Sequence, residues 1–329
     1  MSHPDFDPAY VFSHRPSTPE KLAHYDAIHE GALRFAEKEG GPFLREEGVK
    51  RIPPLVELPE LLSAAEHVVE DKDTEDDLRL LIALGSSLGG ARPKASVIEK
   101  DGQLAIAKFP RHDDDYNTVL WEAVALALAA KSGIPVPESR VETVSKKPVI
   151  LLRRFDRQKE VRIPFLSAMS MLGAKDRDTR SYLEIVDALR QHGAAPKEDM
   201  EELWRRIVFS ILISNTDDHL RNHGFLYAGQ AGWRLSPAYD LNPVPVDIKP
   251  RILTTAINED DGTASLDLAM SVAEYFELEK DKAKAIAAQV AKAVSTWRDE
   301  AAKHGVAKGE IDRMASAFEH DDLKKALGK

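Results

Sequence analysis

A chain of 329 residues, 43% hydrophobic and 30% charged, is long enough for about two lobes and has the composition of a globular protein with a sizeable core. Its 45 basic against 55 acidic side chains leave a net charge of −10, which argues against holding nucleic acid by bulk electrostatics, since phosphate neutralisation needs surplus Lys and Arg. The lack of cysteine excludes disulfides, thiolate zinc sites and a thiol nucleophile; with no apolar run of membrane-spanning length and no basic-then-apolar leader, the expectation is a cytoplasmic protein without membrane contact.

The first residues carry Pro4, Pro8, Pro16 and Pro19, and a helix is predicted over 18–38, closed by Gly40, Gly41 and Pro42. Residues 52–58, with Pro53 and Pro54, read as extended, and Leu61, Leu62, Ala65 and Val68 then recur at helical spacing. The texture changes at Arg79. Gly85, Gly89 and Gly90 precede two apolar runs, 95–99 and 103–109, set about Asp101-Gly102; this predicts a hairpin with a type I′ turn, both of whose central residues need positive φ. A helix is predicted over 117–130 and a second strand pair over 141–144 and 149–154. Helices follow over 181–191, 200–213, 267–276, 278–304 and 310–327, interrupted by a polar stretch, 214–241, with short strands at 225–228 and 233–236. The expectation is an α+β protein: a segment 1–78 packing on the core, a β-rich lobe 79–156 and a larger helical lobe 157–329, with the polar motifs at the seam.

Three features carry chemistry. In Gly85-Ser86-Ser87-Leu88-Gly89-Gly90-Ala91-Arg92-Pro93-Lys94 the glycines let backbone N–H groups close on an anion, and Arg92 and Lys94 add positive charge. No Gly-Lys-Ser/Thr follows, so it is not a Walker A loop, and an ordinary flexible turn is the plainer alternative. Lys108 closes an apolar strand, where an ammonium needs an anion such as a nucleotide phosphate; Glu122 is a candidate partner, and an exposed strand end is the bland alternative. The third feature is Asn215-Thr216-Asp217-Asp218-His219-Leu220-Arg221-Asn222-His223-Gly224, followed by Pro237-Ala238-Tyr239-Asp240-Leu241-Asn242. An Asp, an Asn five positions on and a separate Asp after a short strand pair meet the needs of phosphoryl transfer: one carboxylate takes the acceptor's proton, and an amide and a second carboxylate offer hard oxygens to Mg²⁺. Helix capping accounts for one or two of these residues. A metal-dependent hydrolase is the rival, with His219 and His223 sharing a metal on one helical face and Asp217 or Asp240 completing the set; Gly224 and the missing His-Glu-x-x-His pattern count against it. Leu151-Leu152-Arg153-Arg154-Phe155-Asp156-Arg157 sits at the change from strand to helix, as a hinge would, or is a surface strand end.

Together these residues resemble the HipA family, the Ser/Thr kinase toxins of bacterial toxin–antitoxin systems. The resemblance covers residues 54–318 and rests on the stretch Ser86 to Ala95, Ala107-Lys108-Phe109-Pro110, Arg154-Phe155-Asp156-Arg157, the stretch Asn215 to Asn222, and Ala238-Tyr239-Asp240. It implies a bilobal protein-kinase-like fold with a small β-rich N-lobe and a mostly helical C-lobe. Asp217 would be catalytic and Asn222 and Asp240 would hold Mg²⁺. Gly89, Gly90, Ala91, Arg92, Lys94, Lys108, Arg153, Phe155, Asp156 and His219 would contact ATP, Arg153 and Phe155 through hinge backbone. Ser87, with Ser86 second, would be the autophosphorylated serine whose modification ejects the loop and switches the kinase off. The chain lacks room for the β-rich N-terminal subdomain of longer members, so it is expected to be a short form. Its partners would be a HipB-like antitoxin, a separate N-subdomain-like protein, or both, and an aminoacyl-tRNA synthetase as substrate. A catalytically weak module acting within an antitoxin–DNA complex is the alternative.

Overall fold

The computed structural model describes residues 31, 52–69, 93–111, 113–158, 161–175 and 177–329. Four strands, β1 (Lys94–Ile98), β2 (Leu104–Lys108), β3 (Ser139–Val144) and β4 (Lys147–Arg153), form an antiparallel sheet of order β1-β2-β4-β3. Alternation along β4 explains why the sheet is covered twice. Val149 and Leu151 join Ala95, Val97, Ala105 and Ala107 against Leu58, Leu61 and Leu62 of helix α1 (Leu58–Val69), whereas Ile150 and Leu152 belong to the main core with α2 (Thr118–Lys131). That position accounts for the apolar makeup of α2, which is buried on most sides; Asn117 caps it by accepting the Leu120 N–H at 3.1 Å.

The type I′ turn expected at Asp101-Gly102 forms instead in the other hairpin. At Asp101-Gly102 only Gly102 is left-handed, at φ +81°, with Glu99 N–H donating to Gln103 O at 2.8 Å and Gly102 N–H to Glu99 O at 2.9 Å. This is a three-residue loop ending in a glycine bulge, not type I′. Asp101 stays at negative φ because its carboxylate accepts the Gln103 N–H at 3.0 Å. The two-residue turn with both φ positive lies between β3 and β4, at Ser145 (48°) and Lys146 (66°).

After a small hairpin, β5 (Arg157–Gln158) with β6 (Val161–Arg162), comes β7 (Phe165–Ser167), which leads into the short α3 (Ala168–Met171). The helices α4 (Tyr182–His192) and α5 (Pro196–Ile213) follow. Strands β8 (Gly224–Tyr227) and β9 (Trp233–Leu235) form close to the two short strands expected at 225–228 and 233–236, and β7, which was not expected, adds to them as a three-stranded sheet. Gly224 is required here: a Cβ would come within 2.4 Å of the Phe165 ring and 2.7 Å of Ser236 Oγ. Because β8 and β9 are antiparallel, the loop before β8 and the loop after β9 emerge at the same end, and Ser236 N–H donates to Gly224 O at 2.8 Å.

The last three predicted helices are broken. Residues 267–276 resolve into α6 (Leu266–Ser271) and a 3₁₀ turn, and residues 278–304 into α7 (Lys280–Val294) and α8 (Trp297–Lys303). The second break falls where the Ser295 and Thr296 hydroxyls donate to Lys292 O and Ala293 O, competing with the helix ladder. The C-terminus forms α9 (Lys308–Arg313), α10 (Ala315–Phe318) and α11 (Asp321–Ala326), which set Phe318 in a stack with Trp297, ring centroids 4.5 Å apart. Gly31, within the helix predicted over 18–38, has φ +76°, so a regular helix does not pass through it. Among the described residues no helix is long and apolar enough to cross a membrane.

Candidate active site

The site begins where α5 ends. Ser214 takes a left-handed conformation, φ 53°, and turns the chain out of the helix. Arg251 fixes that turn by donating to Ser214 Oγ and Ile211 O, both at 3.0 Å. The Thr254 hydroxyl donates to Thr216 O at 2.9 Å and the Thr255 hydroxyl to Asp218 O at 2.7 Å, so the loop backbone is held from a segment beyond Asp240.

Within this loop the two adjacent aspartates part company. Asp218 is buried; Tyr182 OH donates to it, Ser210 Oγ donates at 3.0 Å, and His223 Nε2 lies 2.9 Å from its other oxygen. Burial opposes its ionised form, but His223 and the two hydroxyl donors outweigh burial and hold the carboxyl below its ordinary range. Asp217 points the other way, 61% exposed, with Lys249 Nζ 3.9 Å from its Oδ1. Asn222 is 8% exposed and donates through Nδ2 to Asp217 O at 3.0 Å, which leaves its carbonyl oxygen as the side-chain acceptor.

Lys108 closes β2 between two carboxylates, Glu122 Oε1 of α2 at 2.6 Å and Asp240 Oδ1 at 2.9 Å. Burial opposes its charge, yet the pair of anions raises its pKa further above the ordinary lysine range. Asp240 is left-handed at φ 58° and 40% exposed; Lys108, with more distant help from Lys94, holds it well below the usual carboxylate range against the pull of burial. Lys94 lies directly across the ladder from Lys108. Asn242 ties the two loops together: its side chain donates to Asp240 Oδ1 at 3.3 Å, and its N–H donates to Asn215 Oδ1 at 3.2 Å. Asn215 in turn donates to Ser210 Oγ at 3.3 Å, so a polar chain runs from Lys108 to Asp218.

The donor set suits a hard divalent cation. Asp240 is held ionised with both its hydrogen bonds on Oδ1, and Asn222 keeps an amide oxygen, which is the carboxylate-plus-carbonyl chemistry that Mg²⁺ accepts. The histidine-based metal set is not formed. His219 and His223 flank a single 3₁₀ turn, Leu220–Asn222, in extended conformations, so they share no helical face, and His223 is turned to Asp218 and edge-on to Tyr182. Among the described residues no group of three His, Asp or Glu side chains is placed to hold a metal. His219 Nδ1 is buried and has no hydrogen-bond partner among the described residues.

At the hinge stretch the Arg153 and Arg154 N–H groups are engaged by Glu138 O and Leu104 O, both at 2.9 Å, and the Arg153 side chain pairs with Asp101 and Glu138. Phe155 packs in a trio with Phe165 and Tyr239, ring centroids 5.8–6.4 Å apart. Asp156 is enclosed: Arg154 and Arg157 each donate to it at 2.6 Å, and Gly31 N–H donates at 2.7 Å. Its carboxylate therefore ties Gly31 to the segment that follows β4. Ser86, Ser87, Gly89, Gly90, Ala91 and Arg92 lie outside the described residues. Tyr182, Ser210, Thr254, Thr255 and Lys249 were not singled out in the sequence. Their contacts are made across the fold, as Tyr182 to Asp218 is across 36 residues, and leave no local pattern.

A small antiparallel sheet over a helical body, with the polar loops facing the sheet's lysine, defines a kinase-like fold of the HipA type. The profile of the HipA-like C-terminal domain family matches residues 86–297, and the chain belongs to that family. A Haemophilus influenzae protein named "Putative kinase" is 25% identical over 211 residues, 55% of this chain and 61% of its own; the chain thus spans about three-fifths of that relative's length. Among solved structures, the Shewanella oneidensis toxin HipA, determined with HipB and operator DNA, superposes with a TM-score of 0.65 at 15% identity, covering 93% of this chain and 76% of its own. The Helicobacter pylori proinflammatory kinase CtkA superposes with a TM-score of 0.57 at 16% identity, covering 74% and 94%. At those identities the likeness is one of fold.

Proposed function

We propose that the chain is an ATP- and Mg²⁺-dependent protein serine/threonine kinase of a toxin–antitoxin system. The observation that carries this reading is the continuous polar chain from Lys108 through Asp240, Asn242 and Asn215 to the loop that exposes Asp217. Lys108, steadied by Glu122, offers its ammonium to a nucleotide phosphate. Asn222 and Asp240 hold Mg²⁺, which when bound neutralises charge on the phosphates and aligns them. Asp217, free of the network that buries Asp218, orients the acceptor hydroxyl and takes its proton as the oxygen attacks the γ-phosphorus. The Arg153 carbonyl and the Phe155 N–H are the hinge groups for adenine, and Lys94 and His219 flank the nucleotide. In this reading Ser87 or Ser86 is the autophosphorylated serine, a HipB-like antitoxin or a separate N-subdomain-like protein restrains the kinase, and an aminoacyl-tRNA synthetase is its cytoplasmic target. Purified protein with Mg²⁺ and γ-labelled ATP should label itself or a protein of a bacterial lysate, with peptide mass spectrometry locating self-label at Ser86 or Ser87. No label in either place would refute the reading.

A further inference from the structure

Residues 243–252 follow the Asp240 loop and run past the Asp217 carboxylate. The segment is held from several sides: Tyr116 OH donates to Pro243 O at 3.2 Å, Val246 N–H donates to Ser316 Oγ at 3.1 Å, and the Asp247 side chain pairs with Arg313 at 3.0 Å. Downstream, Arg251 reaches Ile211, Ser214 and Asp322 at once. Between these anchors Lys249 N–H donates to Pro245 O at 3.3 Å, and Lys249 Nζ lies 3.9 Å from Asp217 Oδ1.

A pair in which the lysine is 44% and the aspartate 61% exposed adds little to stability. Stability therefore does not explain why so anchored a loop presents a cation there. Catalysis does. The carboxylate that takes the acceptor's proton lies beside the oxygen–phosphorus bond being made, and negative charge collects on the phosphoryl oxygens at that place. Lys108 meets the nucleotide from the sheet side, beside Glu122 and Asp240, and Arg251 is engaged in its clamp on Ser214, so Lys249 is the cation that the structure sets against Asp217.

We propose that Lys249 is a catalytic residue of the transfer, its ammonium binding an equatorial oxygen of the γ-phosphoryl group as that group passes from ATP to the acceptor. The inference rests on the kinase reading above. In the step, the acceptor hydroxyl gives its proton to Asp217 and its oxygen bonds to the γ-phosphorus. The bond from that phosphorus to the β–γ bridging oxygen breaks, and its electron pair stays on ADP. Lys249 keeps its protons throughout and stabilises charge that peaks between the two bonds.

The test compares wild type with Lys249→Met and Lys249→Arg in the full chain, with Lys282→Met, a surface lysine paired with Glu201 at 3.3 Å, as the control. Lys249→Met should lower kcat about 100-fold with KM for ATP within about threefold, Lys249→Arg should recover part of the loss, and Lys282→Met should match wild type. The complex of Mg·ADP with aluminium fluoride, a planar phosphoryl mimic, should bind Lys249→Met about tenfold more weakly, while Mg·ADP alone binds equally. A Lys249→Met protein with near-wild-type kcat would overturn the proposal while leaving the kinase reading in place. So would a loss of kcat with unchanged affinity for the fluoride complex, which would make Lys249 a positioning residue for Asp217. A wild-type chain that neither binds Mg·ADP nor transfers phosphate would overturn both.

Discussion

Asp217 and Asp218 are neighbours with opposite surroundings, and their substitutions should separate function from stability. Asp217→Ala removes a solvent-facing side chain, so stability should move by no more than about 0.5 kcal/mol, while phosphoryl transfer should fall by about 10²–10⁴-fold. Asp218→Ala instead leaves Tyr182 and Ser210 without their acceptor and His223 without its carboxylate neighbour, and should cost about 2–4 kcal/mol in urea unfolding. Equal stability loss in the two variants would contradict this division. The density of acid and amide groups in residues 215–224 was legible in the sequence, and so was the lysine closing β2. Which aspartate faces solvent was not, because the groups that bury Asp218 come from α4, from α5 and from His223, just before β8. Lys108 lies under the same logic. Lys108→Met takes the ammonium partner away from the Glu122 carboxylate, whose side chain is 4% exposed, and should destabilise by about 3–5 kcal/mol; adding Glu122→Leu should restore much of that loss in the same unfolding measurement.

At the scale of elements, the turns make the sharpest forecast. Ser145 and Lys146 occupy left-handed positions that cost a side chain about 1–2 kcal/mol each. Ser145→Asn with Lys146→Gly should therefore raise the unfolding free energy by about 1 kcal/mol. Gly102→Ala should lower it by a similar amount, because Gly102 sits at φ +81° although space around it is open. Denaturation midpoints that do not move in opposite directions would count against these turn assignments. Long periodic segments such as α2 and α5 were readable from residue pattern because each buries a broad apolar face. Strands β5, β6 and β7 were not, since two or three residues carry no period. The helix break near Ser295 comes with hydroxyl back-bonding, and Phe318 stacks on Trp297 from across the fold, neither of which a local pattern records.

Across the whole molecule, Arg251 joins the end of α5 to the C-terminal helices, where His320 lies against Leu212 O and Asp322. Burial, aided by the Arg251 cation, pushes His320 down to about 4. The unfolded chain, with an ordinary histidine near 6.5, then binds more protons than the folded one between about pH 6.5 and 4. Stability should be level above that window and fall progressively through it, by up to about 3 kcal/mol. His320→Gln should flatten that limb of a stability-against-pH curve, and an unchanged slope would exclude His320 as its source. The ion pair of Lys108 with Asp240 spans from the sheet to the loops of the helical body, and the account turns on its belonging to a nucleotide site. The most direct test is Mg·ATP binding by calorimetry alongside single-turnover transfer, for wild type, Asp217→Ala and Asp240→Ala. The account predicts that wild type binds and transfers, Asp217→Ala binds without transferring, and Asp240→Ala loses Mg-dependent binding and transfer together. Undiminished transfer by Asp217→Ala, or Mg·ATP affinity in Asp240→Ala equal to wild type, would contradict it.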